Sequence, residues 1–325
     1  MLQIKNISNS PVTEDESIIY EIRSLFPDFD KRLQDLIAGM SGCSPFLYGL
    51  VKKEINWIKN ALTSTINPEA EIISEVLQSS DVTKSLRIAK GRIALWTALQ
   101  DLSGNWELED VSKCLSEFAD FSVKVALKTA IETIIAERKF SKLKNYHDAE
   151  QIGIFILAMG KLGARELNYS SDIDLVCYFD DEKLAKKDFF ETRKAAIAVI
   201  KGLTKILSET TEHGYVFRTD LRLRPDPSVN PVCVGFEAAM KYYEALGRTW
   251  ERAAYIKARY CAGSKSLAVK FLAALYPFVW RKYLDFAAIE DAHSIRIRYQ
   301  RKIELKTISS ILGHDVKLGL GGIRD

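Results

Sequence analysis

The chain has 325 residues, 47% of them hydrophobic and 27% charged, a balance that excludes intrinsic disorder and leaves room for two or three domains with sizeable cores. Its 46 basic and 43 acidic residues leave a net charge of only +3, so composition gives no case for a nucleic-acid binder or a membrane-surface protein. Five scattered cysteines (Cys43, Cys114, Cys177, Cys233, Cys261) form no Cys-x-x-Cys pair and have no histidine at zinc spacing, which points to reduced, mostly buried thiols and no structural zinc.

The first ten residues lack the apolar core of a secretory signal, and the apolar run 152–160 is far too short to span a bilayer, so the expected location is the cytoplasm. From about Glu14 to Phe140 apolar residues recur at helical spacing. Asp28 and Asp30 flank one helix start. Ser44-Pro45 and Pro68-Glu69 mark two more, because a proline at the first helical position gives up an N–H that would be unpaired anyway. Glu107 to Glu137 predicts one or two further helices, and Trp57 and Trp96 read as core residues. A polar stretch from Lys142 to Glu150 ends this pattern. Ile152 to Met159 then reads as a buried strand, Ile173 to Phe179 as a second, Lys186 to Thr211 as a long helix and Val216 to Arg224 as a third strand. Beyond Phe236 the pattern is helical again to about Lys306. On the helix near Trp250, Arg248, Glu251 and Arg252 fit either a surface ion-pair set or a contact with a substrate. The four histidines are too dispersed to form a site.

The stretch from Met159 to Leu175, Met-Gly-Lys-Leu-Gly-Ala-Arg-Glu-Leu-Asn-Tyr-Ser-Ser-Asp-Ile-Asp-Leu, carries the chemistry. Glycines permit a sharp turn and let backbone amides approach a phosphate, a role that Gly160 and Gly163 fit. Residues two apart in a strand share a face, so Asp172 and Asp174 project together while Ile173, Leu175, Cys177 and Phe179 turn to the core. Two adjacent carboxylates repel unless a cation lies between them, and Mg²⁺ suits a site of few carboxylates completed by phosphate and water. On the third strand, alternation puts Phe217, Thr219, Leu221 and Leu223 on one face and Arg218, Asp220, Arg222 and Arg224 on the other. If that strand neighbours the second, Asp220 completes a metal triad. Either pattern alone also fits a solvated, salt-bridged surface. A calcium loop lacks its further oxygen ligands here.

The combination resembles the nucleotidyltransferase superfamily. Longer segments resemble one family within it, the glutamine synthetase adenylyltransferase/adenylyl-removing enzyme of bacterial nitrogen regulation. They are residues 160–175, Gly214 to Pro225 (Gly-Tyr-Val-Phe-Arg-Thr-Asp-Leu-Arg-Leu-Arg-Pro), Tyr242 to Arg252 with Ile256-Lys-Ala-Arg259, Phe278 to Asp285, and Val316 to Asp325. The resemblance implies an α+β fold with a small mixed nucleotidyltransferase-like sheet flanked by helical regions. The expected divisions are an N-terminal helical region at 1–140, a catalytic domain at 141–262 and the start of a C-terminal helical domain at 263–325. The family carries two nucleotidyltransferase copies, and the place of this one behind a helical region resembles the first. That implies removal of AMP from a modified tyrosine of glutamine synthetase by phosphorolysis, giving ADP. Asp172, Asp174 and Asp220 would hold Mg²⁺, Gly160, Gly163 and Ser171 would position phosphate oxygens, and Arg222 and Arg224 would balance charge. The family continues beyond the point where this chain stops, at Asp325, so the chain is expected to be an N-terminal part. Two other readings stay open: ATP-dependent adenylylation of glutamine synthetase, and a non-catalytic remnant that binds glutamine synthetase or the signalling protein PII.

Overall fold

A computed structural model describes residues 4, 7–137, 149–280, 289–290, 293–294 and 297, with backbone alone at 150–151 and 182–189. The helical region comprises α1 (Glu16–Leu25), α2 (Lys31–Cys43), α3 (Pro45–Lys53), α4 (Ile55–Thr63), α5 (Pro68–Gln78), α6 (Val82–Leu102) and α7 (Leu108–Ala136). Several of these helices begin where a short polar side chain satisfies a first-turn amide. Asp15, Asp30, Ser44, Asn67 and Asp81 each do so, and Pro45 and Pro68 follow their caps. Of the two aspartates expected at a helix start, Asp30 is the cap and Asp28 lies in the preceding turn. The stretch after Glu107 is one helix, α7, and both tryptophans are buried.

The second half of the chain runs α8 (Ala149–Ile152), β1 (Ile154–Ala158), α9 (Gly160–Ala164), β2 (Ile173–Phe179), α10 (Asp181–Ser208), β3 (Thr219–Asp220), β4 (Cys233–Gly235), α11 (Phe236–Ala245), α12 (Thr249–Tyr255), β5 (Arg259–Gly263) and α13 (Lys265–Val279). The strands form one mixed sheet in the order β3-β2-β1-β5, with β4 also on β2. β1 is antiparallel to both β2 and β5, whereas β3 and β4 run parallel to β2. Because β1 occupies one edge of β2, β3 and β4 share the other. β3 pairs with the start of β2 and β4 with its end, and the chain from 221 to 232 makes an excursion between them.

Both faces of the sheet are covered, which explains why β1 reads as a continuous apolar run rather than an alternating one. Ile154, Ile156 and Ala158 of β1 and Ile173, Leu175, Cys177 and Phe179 of β2 join a core shared with α1–α7 and α10. Phe155, Leu157, Val176 and Tyr178 face a second core under α11–α13. Full burial of each such large side chain stabilises the fold by roughly 1.5–3 kcal/mol. The first core passes without a break from the helical region into the sheet, so that region is one layer of the same architecture.

Three sequence expectations are corrected. The strand read over Val216 to Arg224 is only Thr219–Asp220. After Asp220 the chain turns, and Leu221 and Leu223, expected on one face, pack against different cores. The chain beyond Phe236 is interrupted by β5, which is too short for its own periodicity to stand out between helices and is fixed by pairing with β1. Glu251 and Arg252 are buried, forming neither a surface set nor an exposed contact. Glu251 accepts from the Tyr242 hydroxyl at 3.0 and 3.2 Å and from the Arg248 amide at 2.9 Å, while Arg252 lies over the Phe278 ring. The cysteines are free and all but Cys43 are buried. The expected boundary at 140 and the segment Val316 to Asp325 lie outside the described residues.

Candidate active site

The site forms where β1 ends, β2 begins and β3 joins it. In the β2–β3 ladder Ile173 pairs with Thr219 and Asp174 with Asp220, so the two strands are neighbours, which is the condition set on Asp220. Asp174 shares its face of β2 with Val176 and Tyr178, and Asp172 stands one residue before the strand begins.

Gly160 is built around Asp174. Its φ is +53°, which favours glycine, and a Cβ there would overlap a carboxylate oxygen of Asp174, which would have to shift. The neighbouring Met159 amide donates to the Asp174 carbonyl at 2.9 Å, which fixes the turn to β2. Gly163 serves differently. Its amide donates inside the short helix to the Met159 carbonyl at 2.8 Å, and a Cβ would overlap the Lys257 carbonyl. Its smallness lets α9 lie against the chain leading into β5. Ser171 donates to Asn168 Oδ1 at 2.6 Å and accepts from Lys161 Nζ at 3.4 Å.

The arginines expected on one face have three different fates. Arg218 donates from Nε to Asp172 Oδ1 at 2.5 Å, from Nη2 to the Ser170 carbonyl and from Nη1 to the Tyr215 hydroxyl. Arg222 reaches Asp220 through Nε at 3.0 Å to both oxygens and through Nη2 at 2.5 Å, and its amide adds a bond at 2.8 Å. These contacts hold the Asp220 carboxyl below the usual carboxylate range, the Arg222 side-chain bonds contributing most. The Arg222 side chain is 83% exposed, so it can leave this pair at little packing cost. Arg224, expected beside a phosphate, donates to the carbonyls of Asn230, Leu221 and Pro227 from Nε, Nη1 and Nη2 respectively, and so fixes the shape of the excursion.

The donor set fits Mg²⁺ in kind and in backbone placement, since it offers hard carboxylate oxygens from adjacent elements. Two of its three carboxylates are engaged by arginines. With Asp172 on Arg218 and Asp220 on Arg222, no group of three or more His, Cys, Asp or Glu side chains among the described residues is gathered closely enough to hold a metal. A cation there would need both pairs to open. Lys161, to which the sequence reading gave no role, reaches Ser171, and Arg218, one of three arginines expected on a face able to bind phosphate oxygens or neutralise charge, is the one that reaches Asp172. Lys161 stood visible as a cation within the glycine turn, whereas nothing in the alternation separated Arg218 from Arg222 and Arg224.

Among the described residues no helix is long and apolar enough to cross a membrane. Comparison with known proteins gives a consistent relationship. A family model described as glutamate-ammonia ligase adenylyltransferase matches residues 37–274. Proteins named bifunctional glutamine synthetase adenylyltransferase/adenylyl-removing enzyme are similar to the chain. One from a Bradyrhizobium species is 40% identical over 301 residues, covering 90% of this chain and 30% of the relative. One from Caulobacter vibrioides is 40% identical over 299 residues, covering 89% and 30%. One from Agrobacterium fabrum is 39% identical over 309 residues, covering 90% and 31%. The chain thus spans about three tenths of the length of these relatives. By a match over most of its length and by these relatives, the chain belongs to the glutamate-ammonia ligase adenylyltransferase family.

Proposed function

We propose that this chain is a Mg²⁺-dependent nucleotidyltransferase that acts on glutamine synthetase, removing AMP from an adenylylated tyrosine by phosphorolysis. The observation that carries the reading is the pairing of Asp174 with Asp220 across the β2–β3 ladder, with Gly160 pressed against Asp174 and arginines on the flanking carboxylates. The relatives' names supply the substrate and both directions of transfer.

In the proposed reaction an oxygen of inorganic phosphate attacks the phosphorus of the adenylyl group. The bond from that phosphorus to the tyrosyl oxygen breaks, the phenolate takes up a proton, and ADP leaves. Phosphate is already anionic near neutral pH and a phenol has a pKa of about 10, so neither a strong base nor a strong acid is needed. Asp172, Asp174 and Asp220 would hold Mg²⁺, which when bound supplies positive charge to the phosphoryl oxygens. Arg222 and Arg218 lie where their guanidiniums could transfer from carboxylate to phosphate oxygens, the same fork serving both anions. Gly160 keeps side-chain atoms away from the carboxylate that the nucleotide would approach.

The test has two arms. Adenylylated glutamine synthetase with phosphate and Mg²⁺ should yield ADP, and unmodified glutamine synthetase with labelled ATP should stay unlabelled. Label incorporation without ADP formation reverses the direction. Absence of turnover in both arms, with glutamine synthetase binding unchanged by Asp172→Ala plus Asp174→Ala, would show a non-catalytic binding module.

A further inference from the structure

The stretch between the glycine turn and Asp172 is held by side chains that come from the helical region. Arg259, in register with Ala158 at the end of β1, grips both oxygens of Asp120 on α7, from Nη1 at 2.7 Å and Nη2 at 3.0 Å. The same guanidinium donates from Nε to the Gly163 carbonyl at 3.1 Å and from Nη2 to the Leu162 carbonyl at 2.8 Å, at the C-terminal end of α9. The Arg259 and Asp120 side chains are 21% and 15% exposed, and Cys261 Sγ donates to Asp120 at 3.4 Å. Two more links follow along the chain. Ser116 Oγ on α7 accepts from the buried Leu167 amide at 3.3 Å, and the Tyr169 hydroxyl donates to Asp101 Oδ2 on α6 at 3.1 Å.

We propose that Arg259 and Asp120 are positioning residues of the candidate active site. Their pair sets where α9 lies against the sheet, and so fixes the approach of Gly160 to Asp174 at the place where nucleotide phosphate would bind. Helices α6 and α7 thereby become a working part of the nucleotide site. The inference rests on the nucleotidyltransferase reading above. The planar fork is essential to it, because one guanidinium must satisfy a carboxylate and three carbonyls, those of Gly163, Leu162 and Tyr260, at fixed angles, which an ammonium cannot do.

The test is binding of a fluorescent ADP analogue to the 325-residue chain with Mg²⁺, well below the melting temperature of every variant. Arg259→Lys keeps the charge and should weaken binding about tenfold at unchanged stoichiometry, and Asp120→Asn should weaken it about fivefold, since displacement of a positioned group by a fraction of an ångström is felt at the reacting centre. A merely structural role would lower the melting temperature or the bound fraction and leave the affinity of the folded molecules alone. Should Arg259→Lys fail to fold, Tyr169→Phe removes an exposed link and should weaken binding about twofold. Wild-type binding with unchanged affinity in the folded variants overturns the positioning role by itself. No binding by the wild type overturns the nucleotide reading, and this inference with it.

Discussion

Two stretches supply the candidate active site, and they keep their shapes by opposite means. Residues 160–172 are braced from outside, by Arg259 and Asp120, by Ser116 on the Leu167 amide and by Asp101 on Tyr169. Residues 218–230 are braced from within. Asp220 holds Arg222, Arg224 holds three nearby carbonyls, Asn230 Nδ2 donates to the Pro225 carbonyl, and the Val229 and Asn230 amides donate to the carbonyl of Asp226. The two meet at the start of β2, where Arg218 donates to Asp172 Oδ1 and the Ser170 carbonyl and where Asp174 pairs with Asp220. The difference predicts that substitutions at Asp101, Ser116 and Asp120 act more strongly on residues 160–172 than on residues 218–230.

The largest effect should come where the stretches meet. Asp174→Asn should lower ADP formation from adenylylated glutamine synthetase by about a thousandfold or more while the melting temperature barely moves, since loss of a group that stabilises developing charge is felt in the transition state. Gly160→Ala tests the externally braced stretch at its tightest point. A drop of about a hundredfold in turnover should accompany a stability loss of about 1–3 kcal/mol, from left-handed strain plus displacement of the Asp174 carboxylate. Gly214→Ala is its control. Gly214 has a φ of +83° but open space around its Cβ position, so the strain cost of about 1 kcal/mol should appear without loss of turnover.

Arg224→Lys should cost about tenfold in turnover through the internally braced excursion, because an ammonium cannot serve three carbonyls in the guanidinium geometry. If the stretches are independent, its stability effect and that of Asp120→Asn should add to within about 0.5 kcal/mol in a double-mutant cycle. Strong coupling between them would break the comparison.

The smallest effect is on stability alone. The Lys90 amine on α6 lies over the Phe217 ring, 4.2 Å from its centroid, and burial pushes it down to about 8 from an ordinary 10.5. Folding therefore favours the neutral amine, and the folded state is penalised while the group is charged. Lys90→Met should be more stable than wild type by about 1 kcal/mol at pH 7, the gain being offset in part by the lost cation–π contact. That gap should close as pH rises from about 8 toward 10.5, where the unfolded chain still binds the proton that the folded chain has released. Denaturant melts of both proteins across that range check the sign.

Local features of the site were legible in the sequence because their signals are local. The alternation that sets Asp174 apart from Ile173 and Leu175 follows from a period of two, the helix starts at Ser44-Pro45 and Pro68-Glu69 from proline at the first helical position, and the cap at Asp30 from a short polar side chain ahead of an apolar run. What alternation could not show was where β3 stops. Asp220 accepts from the amide two residues on, a turn that the regular Arg-x-Asp-x-Arg pattern conceals. Arg224 consequently left the face on which it was placed. The tie between Arg259 and Asp120 joins residues 139 apart in the chain, and the burial of Glu251 and Arg252 depends on packing of α11–α13. Neither leaves a mark at fixed spacing. The chain ladder that pairs Asp174 with Asp220 was likewise only a condition until the sheet order supplied it.

The central proposal is that Asp172, Asp174 and Asp220 would hold a divalent ion against a nucleotide phosphate. Binding of Mn²⁺ to the 325-residue chain in the presence of ADP, read from the electron paramagnetic resonance of the free ion, tests it most directly. The expected result is a tight site from which Mg²⁺ displaces Mn²⁺ and which Asp174→Asn removes while the chain stays folded. Equal Mn²⁺ binding by wild type and Asp174→Asn, or none by either with ADP present, contradicts it.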